Sequence, residues 1–386
     1  MSGNSDPAPA LHLVVPAGFD RPERVSGGNV YDRRLATELS AAGMPVGLRP
    51  VGSGWPQPGQ DDLDDLDRLL GSLPDGSSVV IDGLIASCSP QVVVPAAQRL
   101  QIVALVHLPL GVRPTGLSAG DSAGDPSDDR TEHDADLARR VRDEAAVLHS
   151  VAGVITTSEW TRGQLLDRYE LPPDRVVVAP PGVDRAELAP GSPDGGRLIC
   201  VAPVTRLKGL DLLLDALVDC RNLPWQLHCV GSLELDEGFV RQFRGRLSSH
   251  RLADRVALAG VRSADEVDLA YRNADLLVLP SRLETWGMVA TEALAHGLPV
   301  LVSEVGGLPE AIGTTEQGPP GLIVPIDRDA LSTALRTWLT QPRLRTELQR
   351  RARVRREGLY SWDHTVRQVL TSGILRAVQS AQGTPR

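Results

Sequence analysis

Along the chain, short apolar runs alternate with longer segments in which apolar residues recur at helical spacing, the pattern of strands joined by crossover helices. In the first half, LHLVV (11–15), SVVID (78–82), IVALV (102–106), GVITT (153–157) and RVVVA (175–179) read as strands, and a helix is predicted from about Asn29 to Ala42. Asp61 to Leu70 predicts another, with Leu63, Leu66, Leu69 and Leu70 on one face and carboxylates on the other. That acidic run reads as a solvated helix face rather than a metal site. The Pro-, Gly- and Ser-rich stretch DRAELAPGSPDGGR (184–197) interrupts the rhythm. A second series follows, with strands over 198–203, 225–231, 255–260, 275–280 and 299–303 and helices over 209–220, 235–249, 264–272 and 287–296. Two doubly wound α/β domains in tandem are the consequence. Sheets of this kind bind ligands at the carboxyl ends of their strands, so a cleft between facing domains is expected.

Composition narrows the classes. A chain of 386 residues that is 41% hydrophobic and 23% charged can bury two cores and is not generally disordered. Forty Lys plus Arg against 49 Asp plus Glu leave a charge of −9, the wrong sign for coating nucleic acid or anionic lipid. The absence of a long apolar run or a basic, apolar leader predicts a cytoplasmic protein with no integral membrane segment. Cys88, Cys200, Cys220 and Cys229 have no paired C-x-x-C spacing and read as free, buried thiols. Residues 114–136 are polar and broken by Gly and Pro, either a mobile acceptor-side loop or a surface insertion. Residues 343–356 carry seven arginines, read as a solvated C-terminal helix in preference to a basic patch.

The segment LLVLPSRLETWGMVATEALAHGLPVLVSEV (276–305) holds most of the candidate chemistry. A strand ends at Pro280-Ser281, a loop carries Glu284, and Gly287 opens a helix that contains Glu292 and stops at Gly297. The first turn, Gly287-Met288-Val289, presents N–H groups without intrahelical acceptors at the positive end of the helix dipole, which suits a diphosphate. Glu284 and Glu292 stand eight apart, placed to accept hydrogen bonds from sugar and ribose hydroxyls beside it.

With Pro280-Ser281 before it and Gly297-Leu298-Pro299-Val300 after it, this segment resembles the donor-binding motif of the GT-B glycosyltransferases of family 4, retaining enzymes that use sugar nucleotides. Ser26-Gly27-Gly28-Asn29 resembles that family's glycine-rich loop after the first strand, and His107 stands where relatives carry a histidine that contacts the transferred sugar. LICVAPVTRLKGLDLLLDAL (198–217) resembles the first strand–loop–helix unit of the donor domain, with Lys208, the chain's single lysine, on the Lys-Gly position. Arg206 lies two residues before it, where many members have arginine adjacent or five before. Thr157-Ser158 and Pro180-Pro181-Gly182-Val183-Asp184 are similar to the family's crossover between domains, with Pro181 at a frequent asparagine. Tyr360-Ser361-Trp362-Asp363 opens a helix like the one that crosses back in relatives.

The resemblance implies a GT-B fold with an acceptor-side domain over 1–184, a nucleotide-sugar donor domain over 185–360 and a crossover helix over 361–386 packing on the first. It implies that Lys208, assisted by Arg206, and the Gly287-Met288-Val289 amides hold the diphosphate, that Glu292 meets the ribose and Glu284 the sugar, and that His107 approaches from the other domain. Gly27 and Gly28 let the donor come close. Glu284, His107 and Lys208 are the implied catalytic set. The donor is expected to be a nucleoside diphosphate sugar, UDP or GDP, and the acceptor is unidentified. No metal or resident cofactor is expected, since lysine, arginine and the helix dipole can neutralise the leaving group. A homodimer is left open. A nicotinamide-dependent dehydrogenase needs G-x-G-x-x-G, which VVPAGFDRPERVSGGN (14–29) lacks. A sugar-nucleotide epimerase on the same architecture and a noncatalytic sugar-nucleotide-binding protein stay open as alternatives.

Overall fold

In the computed structural model, which describes residues 10–20, 26–116 and 130–375, the chain divides into two units. Among the described residues, one comprises those up to Val112, from 130 to Gly182 and from Ser361 on; the other comprises 113–116 and Val183–Tyr360.

The first unit contains β1 (Leu11–Pro16), α1 (Gly27–Ala41), β2 (Val46–Val51), α2 (Gln60–Ser72), β3 (Ser78–Asp82), α3 (Gly83–Ala86), α4 (Pro90–Ala96), β4 (Gln101–Val106), α5 (Arg130–Ser150), β5 (Gly153–Thr156), α6 (Glu159–Tyr169) and β6 (Val176–Val178). Its six strands lie in the order β2-β1-β3-β4-β5-β6, all parallel. Helices cover both faces, so the central strands are mostly apolar and Val14, Val79, Ile81, Ile102, Ala104 and Val154 are buried. Chain direction across the sheet reverses between β1 and β3. The carboxyl ends of those strands therefore border the natural ligand crevice of this unit.

Four readings change here. β2 escapes the apolar pattern because it is an edge strand carrying Arg49 and Pro50, where Pro is tolerated. Gly27 and Gly28 form the first turn of α1 rather than a loop, since Ser26 caps the helix by accepting from the Asn29 N–H at 3.1 Å. The polar stretch read as loop from 114 to 136 is helical from Arg130 onward, and 117–129 lie outside the described residues. Its charges pair along the helix, Asp136 with Arg139 at 2.6 Å and with Arg140 at 2.7 Å. The acidic face of α2 is only partly solvated: Asp62 accepts the Gly59 and Ser53 N–H groups at 2.9 and 3.0 Å and Asp65 that of Gly52 at 3.2 Å. These bonds, that to Gly59 foremost, pull Asp62 below the usual carboxylate range.

The second unit contains β7 (Arg197–Val201), α7 (Leu210–Asp219), β8 (Gln226–Val230), α8 (Glu237–Ser249), β9 (Val256–Leu258), α9 (Ala264–Arg272), β10 (Leu276–Leu279), α10 (Met288–Ala295), β11 (Val300–Ser303), α11 (Leu308–Ile312), β12 (Gly321–Val324), α12 (Arg328–Thr340) and α13 (Pro342–Arg356). The strand order is β12-β11-β10-β7-β8-β9, again all parallel, and its reversal falls between β7 and β10. β12, unread in the sequence, is also an edge. The arginines of α13 are neither a basic patch nor simply solvated. Arg345 is buried and donates to the carbonyls of Trp338, Leu339 and Pro193, Arg355 donates to those of Ile312 and Gly358 and Arg356 to that of Ala186. Arg350 and Arg351 share Glu347. All four cysteines are free; Cys200, Cys220 and Cys229 are buried and Cys88 is half-buried.

The last described helix, α14 (Trp362–Thr371), belongs to the first unit. Ser361 caps it through the His364 N–H at 3.3 Å, Trp362 packs 5.7 Å from the Tyr31 ring of α1, and Thr365 Oγ1 donates to the Pro180 carbonyl at 2.6 Å. Gly182 is required beside it, because a Cβ there would lie 2.2 Å from the Trp362 nitrogen. No helix among the described residues is long and apolar enough to cross a membrane.

Candidate functional site

In the second unit the loops leaving β7 and β10 are bonded together at the point where the strand order reverses. A 3₁₀ turn over Arg206–Lys208 follows β7, and the Arg282 N–H, in the loop after β10, donates to the Leu207 carbonyl at 2.9 Å. Gly209 then turns the chain into α7 with φ +68°, and a Cβ there would sit 2.0 Å from the Pro280 carbonyl oxygen. Only glycine fits both conditions. Lys208 is thereby aimed across the loop, with Nζ 2.5 Å from Glu284 Oε1. Ser281 Oγ donates to the same oxygen at 2.8 Å. The side chains are 22% and 13% exposed, half-buried and reachable by a ligand.

Arg282 ties the two loops together. Its guanidinium meets Asp211 of α7 through two bonds of 2.7 and 2.9 Å and donates to the Arg206 carbonyl at 2.6 Å. The Glu284 backbone is fixed from the far side, where its carbonyl accepts the Gly307 N–H at 2.9 Å.

Three residues after Glu284, Gly287 caps α10 at φ +93°. Met288 and Val289 are half-buried, and their N–H groups have no acceptor among the described residues. Glu292, in the second turn, accepts from the Tyr271 hydroxyl of α9 at 2.9 Å. Burial raises the Glu292 acid; the Tyr271 hydrogen bond opposes that and the Asp184 charge adds to it. Tyr271→Phe should cost about 1–2 kcal/mol in urea unfolding, because it strips a buried carboxyl group of its donor. The Arg206 guanidinium lies over the Phe239 ring, 6.0 Å from its centre.

Lys208, Glu284 and the Gly287-Met288-Val289 turn thus share one bonded loop system, Glu292 follows on the same helix, and Arg206 turns its charge onto an aromatic ring. His107, Gly27 and Gly28 belong to the first unit. His107 follows β4, and its Nε2 lies 2.8 Å from Asp32 Oδ1 of α1 and 3.9 Å from Asp82 Oδ2 at the end of β3. Gly28 covers the ring so closely that a Cβ would lie 3.1 Å from His107 Cδ2, and Tyr31 stands edge-on with ring centres 5.3 Å apart. Burial alone would lower His107; the Asp32 carboxylate, by charge and hydrogen bond, and Asp82 more than reverse this, so it is raised. Asp82 is raised too, by burial first and then by Asp32.

Sequence reasoning missed Asp32, Asp82, Asp211, Tyr271, Ser281 and Arg282. Two signals were present: Asp82 is the acidic end of the apolar run VVI, and Asp32 follows Gly28 by four, on the same helix face.

Residues 190–355 match the family model of Glycosyl transferases group 1 and residues 85–187 that of Glycosyltransferase Family 4. The chain is 33% identical over 260 residues to the D-inositol 3-phosphate glycosyltransferase of Kineococcus radiotolerans, covering 60% of this chain and 59% of the relative. It is 29% identical over 261 residues to the mannosylfructose-phosphate synthase of Agrobacterium fabrum, covering 63% and 57%; the match spans under two thirds of either relative. Among solved structures, sucrose-phosphate synthase from Thermosynechococcus elongatus superposes with a TM-score of 0.74 at 23% identity, over 94% of this chain and 98% of that one. The loop system at the β7/β10 reversal and these two adjoining matches place the chain in glycosyltransferase family 4, with the two-domain α/β GT-B fold.

Proposed function

We propose that the protein transfers a sugar, with retention of anomeric configuration and without a metal, from a nucleoside diphosphate sugar to an acceptor hydroxyl. The observation that carries this reading is the Lys208–Glu284 pair, at 2.5 Å, beside the open first turn of α10 at the reversal of the second sheet. Lys208 and the Met288 and Val289 amides supply positive potential to a diphosphate, and that potential stabilises most where negative charge develops. In the step proposed, the acceptor oxygen bonds to the anomeric carbon on the face from which the donor departs. The bond from that carbon to the β-phosphate oxygen breaks with its electron pair on the phosphate, which takes the acceptor's proton. Glu284, released from Lys208 when the diphosphate arrives, is free to accept from sugar hydroxyls, while Glu292 is assigned to the ribose and His107 to the sugar.

The names of the curated relatives support trying phosphorylated polyols and sugars first as acceptors. The binding test is thermal unfolding with UDP, GDP, ADP and TDP. A nucleotide at 100 times its dissociation constant adds about 2.7 kcal/mol, a rise of about 5–10 °C for a domain of this size. Stabilisation by none of the four would overturn the reading. Turnover with the matching sugar nucleotide is expected to survive a chelator.

A further inference from the structure

We infer that Asp32 and Asp82 are positioning residues that hold His107 as an imidazolium, its Nε2–H fixed on Asp32 and its Nδ1–H left free to donate to an oxygen of the bound sugar or acceptor. The inference deepens the sugar-transfer reading and rests on it for the ligand, but the charge arrangement stands on this chain's own geometry.

Asp32 is fully buried and Asp82 nearly so, and each approaches the imidazole from a different element. Two buried carboxylates beside a neutral ring would leave two uncompensated charges, so a proton within the trio is strongly favoured. The 2.8 Å contact between Nε2 and Asp32 Oδ1 sets one ring proton on Nε2, so the further proton that makes the ring a cation is the one on Nδ1. Asp32 Oδ2 is buried with no hydrogen-bond partner, so the local field stays negative and favours a cation. Asp82 leans the other way: one oxygen accepts the Leu84 N–H at 2.7 Å, and its raised acidity range makes it the trio's second protonation site. The other titratable group facing the ring is Tyr31, which burial and then Asp32 keep neutral.

His107 Nδ1, by contrast, has no hydrogen-bond partner among the described residues, and the ring is 18% exposed. With Nε2 turned inward and Gly28 packed on the ring, Nδ1 is the nitrogen left for a ligand. The trio lies at the carboxyl ends of β3 and β4, beside the reversal of the first sheet, where a ligand is expected. A tetrahedral zinc shared by the three groups fits less well. Tetrahedral zinc ligands at about 2.0–2.1 Å from the metal stand about 3.3 Å apart, and the nitrogen and oxygen here are closer than that, at 2.8 Å.

The test is a carbon–proton NMR titration of the full chain with labelled histidine, His107 being assigned from the signal lost in His107→Gln. His107 should titrate above the ordinary histidine midpoint of about 6.5, fall by more than one pH unit in Asp32→Asn, and fall by less in Asp82→Asn. A shift of one unit is tenfold in the charged fraction on the alkaline side. Accordingly kcat/KM of Asp32→Asn should be about tenfold below wild type at pH 8 and within about threefold at pH 6, whereas a purely structural defect would lower both limbs alike. An ordinary midpoint in wild type, indifference to Asp32→Asn, or a His107 signal that moves on adding a chelator would overturn the inference. Because the titration needs no substrate, the outcomes separate: a raised, Asp32-dependent midpoint in a protein that binds no nucleotide defeats the sugar-transfer reading, while nucleotide binding and turnover with an ordinary midpoint defeats only the trio.

Discussion

Replacing Lys208 with methionine should lower kcat by about 10²–10³-fold, the loss typical when one group stabilising a developing oxyanion is removed. The substitution keeps the length of the stem and deletes only the charge. That charge is paired with Glu284 at 2.5 Å, so in the proposed reaction the diphosphate would exchange with a carboxylate rather than meet a solvated cation. The ground-state gain from the exchange is therefore modest, and the larger benefit appears as charge builds on the departing phosphate. The defect should fall on kcat more than on KM. Stability should fall by about 1–3 kcal/mol, since the largely buried Glu284 loses its cation and keeps Ser281 Oγ as a donor at 2.8 Å. Lys208→Arg should recover part of the rate, because the charge returns with a planar, wider head. Steady-state rates with the matching sugar nucleotide and a thermal melt of each variant suffice. A methionine variant within tenfold of wild type would remove Lys208 from the reaction.

Central strands such as IVALV and LLVL were legible because helices cover both their faces and every position is apolar. β2 and β12 were not, because Arg49 and Pro50 interrupt the first and the second is a four-residue GLIV run between two prolines. Glu284 and Lys208 were legible as types in a spaced motif, yet nothing in one dimension says that they pair with each other. That pairing depends on Gly209 letting the turn after β7 come so close to Pro280 that a Cβ would lie 2.0 Å from its carbonyl oxygen. The partners of His107 are separated from it by 75 and 25 positions in the chain. Parallel order puts the ends of β1, β3 and β4 side by side, and only that order makes Asp32, Asp82 and His107 neighbours.

Loss of Arg282 should cost stability and activity by separable routes. Arg282 is 7% exposed and meets Asp211 through two bonds while also capping the Arg206 carbonyl. Arg282→Ala removes the cation and leaves a carboxylate facing a cavity, a change that costs about 3–5 kcal/mol for a buried pair. Asp211 keeps 21% exposure, which relieves part of the penalty and sets the expectation at about 3 kcal/mol by urea unfolding. The double variant Arg282→Met with Asp211→Leu should regain most of it, because an apolar pair of similar volume leaves no orphaned charge. Activity should not follow. The guanidinium does more than neutralise Asp211: through Arg206 it holds the turn that presents Lys208 against the loop that presents Glu284, and an apolar pair cannot reproduce that bond to a carbonyl. Turnover of the double variant should stay at least about tenfold below wild type, since catalysis depends on placement to within about an ångström. If turnover returns together with stability, the clamp serves folding alone; if stability returns without it, the register between the two loops is what the reaction requires.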